Sequence, residues 1–228
     1  MEPFTLVALG IASALLLKKG GTHMQTLDNT VAVTGLTPAE RMKSIAKVYA
    51  PVISSQSARL GIPPAAAAAV ISIESGGRGF GKDGRLLIRF EPHVFHNRTA
   101  GKTTAGFDVP DSHASQAAEY EAFGQAKTLN EDAAYKSISM GAGQIMGFNA
   151  QRVGYSSAKA MYDAFQTSLQ AQLEGIFEFI RTDSKLLQAV RNSDWTTFAE
   201  RYNGSGQHGY DAKLAKAAGL YPKDSQVA

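Results

Sequence analysis

The stretch Pro63-Pro64-Ala65-Ala66-Ala67-Ala68-Ala69-Val70-Ile71 limits most strongly how this chain can fold. Prolines suit the opening of a helix, where an N–H is dispensable, and the alanines after them are the strongest helix formers. Val70, Ile71 and Ile73 extend the apolar surface, so the helix is expected to be largely buried. It should run to about Ser75, where Gly76-Gly77 breaks it. One carboxylate, Glu74, therefore falls in the last turn of an apolar helix. The negative end of the helix dipole and the apolar surroundings both disfavour its charge. A general acid working near neutral pH requires such a raised pKa. The alternative is a solvated glutamate at a helix end.

Around this helix the sequence predicts a mainly α fold in an α+β arrangement. Thr37-Pro38-Ala39-Glu40 reads as a capping box, and Met42, Ile45, Val48, Tyr49, Val52 and Ile53 follow helical spacing up to Gly61. Between residues 76 and 91 the glycines mark turns, and Leu86 to Phe90 reads as a short strand, part of a hairpin stopped by Pro92. Residues 97–113 read as a loop. From Ala114 onward the pattern is helical throughout, with stripes at Leu169, Leu173, Ile176, Phe177 and Ile180 and at Trp195, Phe198, Ala199 and Tyr202. Asp194 is the N-cap of the second stripe, and Gly141, Gly154, Asn192 and Gly204 give short connections. The expected organisation is a hydrophobic helix over 1–21, a linker over 22–36 and one domain over 37–228.

The bulk properties fit a globular domain: 228 residues, 44% hydrophobic and 19% charged. A net charge of +3 suits polyanions such as cell-wall polymers. No block of five Lys and Arg occurs, so nucleic acid is not an expected partner. Cysteine is absent, which excludes disulfides and thiolate metal sites. Phe4 to Leu17 is uncharged and almost wholly apolar but shorter than the ~20 residues of a full membrane span. It reads as a marginal span, an interfacial anchor or a signal-like segment, or else as a helix buried against a partner protein. Lys18 and Lys19 would be held in the cytoplasm, in conflict with export of the domain C-terminal to them.

Beyond Glu74, three features could carry chemistry. Glu91 ends the strand and precedes Pro92; a strand-end carboxylate and a helix-end acid can meet across a cleft, as glycoside hydrolysis usually requires. Its alternative is a salt bridge to Arg89 or Arg85, and Asp83 and Asp108 are weaker candidates. In Gly141-Ala142-Gly143-Gln144-Ile145-Met146-Gly147-Phe148-Asn149 the glycines allow close approach of a ligand, and Gln144 suits an acetamido group. A plain helix-to-helix turn is the competing reading. Tyr202-Asn203-Gly204-Ser205-Gly206 could line a sugar cleft, with the ring stacked on a pyranose, or form a glycine C-cap. The five histidines carry no HExxH pattern, and no Gly-x-Ser-x-Gly elbow exists, so metal and serine chemistry find little footing and no cofactor is expected.

Together, Glu74-Ser75-Gly76, Arg89-Phe90-Glu91-Pro92-His93, Gly143-Gln144-Ile145-Met146-Gly147-Phe148-Asn149 and Arg201-Tyr202-Asn203-Gly204 resemble the phage and prophage N-acetylmuramidase (endolysin) family of the lysozyme-like superfamily. The resemblance covers about residues 37–221. It is more distantly similar to goose-type lysozymes and lytic transglycosylases. It implies a small sheet beside an active-site cleft and cleavage of the β-1,4 bond between N-acetylmuramic acid and N-acetylglucosamine in peptidoglycan. It implies Glu74 as general acid, Glu91 as stabiliser of the oxocarbenium-like state or positioner of water, and Gln144, Tyr202 and Asn203 as glycan-binding residues. Met140 departs from the aromatic residue expected before the glycine of that stretch, which bears on one subsite. Two alternatives stand beside hydrolysis: a lytic transglycosylase giving anhydro-muramic ends, and a non-catalytic virion or membrane protein that binds peptidoglycan. Residues 4–17 would seat the protein at the periplasm-facing inner membrane of an infected bacterium, or in a phage virion.

Overall fold

A computed structural model of the chain describes residues 36–75, 78–99, 115–203 and 209–223, without the side chains of Ser75 and Asn203. The expected apolar helix over 1–21 and nearly all of the expected linker lie outside the described residues, as do Asp108 and Gly204. The elements are α1 (Pro38–Val48), α2 (Ala50–Leu60), α3 (Pro64–Ser75), β1 (Ile88–Phe90), α4 (Pro92–Arg98), α5 (Gln116–Leu129) and α6 (Glu131–Lys136). Then come β2 (Ile138–Met140), β3 (Ile145–Met146) and 3-10 turns at Gly147–Asn149 and Gln151–Val153. The chain continues through α7 (Ala158–Phe165), α8 (Leu169–Arg181), α9 (Ser184–Asn192), α10 (Trp195–Asn203) and α11 (Tyr210–Gly219). No helix among the described residues is long and apolar enough to cross a membrane.

The alanine-rich helix is the hub. Ala66 to Ile71 are 0–1% exposed, and α1, α2, α9 and α11 pack around them. A helix that is apolar on every side has no stable alternative to being enclosed. The capping box forms as expected: Thr37 Oγ1 accepts from Glu40 N, and the Glu40 carboxylate accepts from Thr37 N at 2.8 Å. The helix expected to run unbroken to Gly61 is instead two, parting at Tyr49. Pro51 has no N–H to donate and crowds the carbonyl four residues back, which is enough to break the ladder. Gly61 closes α2 with φ +64, and Arg191 Nε donates to the Leu60 carbonyl at 2.8 Å.

The sheet is antiparallel in the order β1-β2-β3. Its second and third strands correct the expectation that everything after residue 114 is helical. Strands of three and two residues are too short to show alternation against a helical background. Gly141, at φ +72, opens the β2–β3 turn, so that glycine marks a hairpin rather than a helix-to-helix link. The glycine-rich segment upstream forms one bridge, Phe80 to Leu86, around a tight turn in which Gly81 N donates to Arg85 O at 2.8 Å. Pro92 ends β1 and also opens α4.

Helix α5 closes the free edge of β1. Gln116 donates to Ile88 O at 2.8 Å and accepts from Ile88 N at 3.0 Å. Glu119 accepts from Phe90 N at 2.7 Å, and the Tyr120 hydroxyl donates to Leu86 O at 2.8 Å. Positions 116, 119 and 120 share one helical face, so their side chains do what a further strand would do.

Candidate active site

The hub helix delivers Glu74 to its C-terminal end. Glu74 Oε1 is buried with no hydrogen-bond partner, while the side chain as a whole keeps part of its surface. Burial pushes its pKa up to about 8, and a hydrogen bond from the Tyr202 hydroxyl pulls it partly back. Desolvation is therefore the dominant cause: an anion here would lack both water and sufficient donors. The carboxyl holds its proton at neutral pH.

Tyr202 belongs to α10, whose start is capped by Asp194 accepting from Thr197 N at 3.1 Å. Its ring stacks on Phe198 at 5.2 Å and meets Phe179 edge-on at 5.8 Å. The Arg152 guanidinium lies 3.5 Å from the centre of the Phe179 ring and donates to Phe179 O at 3.0 Å and Thr182 Oγ1 at 2.7 Å. The ring is thus engaged by other aromatics, and the hydroxyl faces Glu74. Burial, then the Glu74 charge, pushes the phenol well above its usual range, so it acts only as a donor. Tyr202→Phe removes the contact that lowers the Glu74 pKa. The alkaline limb of the pH–rate profile is therefore expected to move to higher pH; a limb that stays in place or moves down would break the link between these two residues.

The sheet collects two further candidates. Its register sets Arg89, Ser139 and Met146 in one row, and Ile88, Met140 and Ile145 in the next. Since strand side chains alternate, the first row points outward and the second into the core. Glu91, two residues after Arg89, shares the outward side, and its N–H donates to Ser137 O at 2.8 Å. Its carboxylate pairs with Arg89 Nε at 3.1 Å and His93 Nδ1 at 3.7 Å and keeps 19% of its surface. This is the salt bridge to Arg89 that the sequence left open. Gln144, held at φ +45, folds over the same side. Its Oε1 accepts from Ser139 Oγ at 3.0 Å, and its Nε2 donates to Gly141 O at 2.9 Å. The Asn203 side chain lies outside the described residues.

One residue that organises the site was missed in the sequence. Gln172 on α8 is 0% exposed; it accepts from Ala142 N at 2.8 Å and donates to Phe165 O at 2.8 Å. A Cβ on Gly79 would come within 1.9 Å of its Oε1, and one on Gly141 within 2.8 Å. Leu87 completes the junction, donating to Gly79 O at 3.0 Å and accepting from Gly141 N at 2.8 Å. The segment that leaves Glu74 and the turn that carries Gln144 are thereby stitched together over one buried amide. A polar residue inside the apolar stripe of Leu169, Leu173 and Ile176 was the available signal.

Comparison with known proteins gives the family and the fold. A model of the N-acetylmuramidase family matches residues 63–221, a span that includes Glu74, Glu91, Gln144 and Tyr202. The crystal structure of Burkholderia AP3 phage endolysin superposes with a TM-score of 0.66 at 32% identity, covering 80% of this chain and 69% of that one. No curated protein matches the chain.

Proposed function

The chain belongs to the N-acetylmuramidase family, and from that premise we propose that it cleaves the β-1,4 bond between N-acetylmuramic acid and N-acetylglucosamine in peptidoglycan, with Glu74 as general acid. The observation that carries this reading is the buried Glu74 carboxyl, protonated at neutral pH and set at the end of a buried helix. Glu74 gives its proton to the glycosidic oxygen as the C1–O bond breaks, so the leaving sugar departs as an alcohol. Positive charge develops on the remaining ring. Glu91, on the outward side of the sheet, is the carboxylate assigned to balance that charge or to orient the attacking water. Gln144 and Asn203 are assigned to the glycan. Tyr202 is assigned to Glu74, because its hydroxyl is spent on the carboxyl.

The test is digestion of purified peptidoglycan and mass analysis of the fragments. Reducing muramic ends are expected from the wild type. Anhydro-muramic ends would instead assign a transglycosylase, in which Glu74 serves as acid and then base; the ion pair of Glu91 with Arg89 favours that second reading. Absence of cleavage would leave a peptidoglycan-binding protein. We also propose that residues 4–17 hold the enzyme at a membrane or in a virion. Deleting residues 1–21 should preserve activity in vitro and change fractionation in cells, and unchanged membrane pelleting would refute the anchor.

A further inference from the structure

We propose that Phe148 and Arg98 form a distal subsite for the peptidoglycan strand, the ring taking the apolar face of a sugar and the guanidinium taking a carboxylate of its peptide stem. This rests on the muramidase reading of Glu74. Phe148 is one of two large apolar side chains that stand exposed among the described residues, keeping 44% of its surface. A singly exposed phenylalanine is ordinary. This one is fixed, paired and placed.

It is fixed by Gly147, where a Cβ would come within 1.9 Å of the Tyr135 carbonyl oxygen, so the turn carrying Phe148 is pressed against α6. It is paired with Arg98, an exposed residue ending α4, whose guanidinium carbon lies 4.9 Å from the ring centre. The ring orients the planar fork that matches a carboxylate.

Its placement comes from the register. Met146 sits opposite Ser139, and the chain leaves β3 toward the Ser137 end of β2. That is the end where Glu91 bonds to Ser137 and where α4 begins. The segment descending from Glu74 is stitched to the other end, at Leu87. Leu87 and Glu91 are four residues apart, about 13 Å at ~3.3 Å per residue. A polymer lying along the outward side of the sheet therefore passes Gln144 and Glu91 and then meets Phe148. Arg98 at that end matches the carboxylates that peptide stems carry.

The test uses full-length enzyme and three substrates: intact sacculi, glycan strands stripped of peptide stems by an amidase, and a short muramyl tetrasaccharide. Phe148→Ala should raise KM on sacculi roughly fivefold, the size of one aromatic contact, with kcat within about twofold. Phe148→Trp should restore it, and the tetrasaccharide should show no difference. Arg98→Ala should raise KM on sacculi and leave stripped strands unaffected. Phe148 is exposed, so the melting temperature should hold within about 2 °C. An unchanged KM on sacculi for Phe148→Ala, or an equal rise on the tetrasaccharide, would overturn the subsite. An equal loss for Arg98→Ala on stripped and intact strands would overturn the role of the stem carboxylate. A wild type that releases no new ends from any substrate would instead remove the muramidase reading itself.

Discussion

Glu74→Gln is expected to lower kcat on purified peptidoglycan by about 10²- to 10⁴-fold, the usual contribution of a positioned general acid, while making the protein more stable at alkaline pH. The gain in stability comes from linkage. The folded pKa of about 8 lies above the ordinary value of 4.5, so between those limits the folded state binds the extra proton. Stability of the wild type therefore falls as pH rises from about 4.5 through about 8, and stays at the lower level beyond. Glutamine keeps the shape and carries no charge to desolvate. The difference should vanish near pH 4, grow across that window, and reach a few kcal/mol above pH 8, on the order of several degrees in Tm. Melting curves of both proteins from pH 4 to 9 measure it. A constant offset would show that Glu74 is not desolvated in the folded state, and retained turnover would remove it from the chemistry.

Gln172→Leu is expected to cost more stability than any other polar substitution proposed for this site. It leaves the Ala142 N–H and the Phe165 carbonyl buried without partners, each costing about 1–3 kcal/mol. For a domain of this size that amounts to a Tm lower by roughly 5–15 °C. Activity should fall with it, because the Gly141–Gln144 turn loses its anchor. Gln172→Glu separates the two roles of the amide. Glutamate still accepts from Ala142 N but donates to Phe165 O only when protonated, so both Tm and kcat should recover as the pH is lowered. A wild-type Tm in Gln172→Leu would show that the two hydrogen bonds contribute little.

The parts legible in the sequence are those with long, repeated signals. Pro63 to Ile71 announce a buried helix, Thr37 and Glu40 its capped neighbour, and Asp194 the start of α10. Glu74 is legible for a physical reason: one carboxylate at the end of an apolar helix has few ways to be solvated. Strands β2 and β3 are hidden, because each is only two or three residues long and the pairing of β2 with β1 spans some fifty positions. The break at Tyr49 is signalled by Pro51 but outweighed by an apolar period running through it. Tyr202 reads in sequence as a surface for sugar; its neighbour Phe198 is in the same stripe, but the contact with Phe179 is invisible there because Phe179 lies on another helix. Gln172 is hidden for a similar reason, since a buried amide declares itself only through the distant backbone it satisfies.

Helix α5, which meets Leu86, Ile88 and Phe90 through three side chains, has a consequence beyond folding. A naked β border is a template on which a neighbouring molecule can add its own backbone and start a growing ladder. Here that border is sealed from within the same molecule by groups that cannot propagate, so crowding many copies together offers no seed for fibre growth from β1.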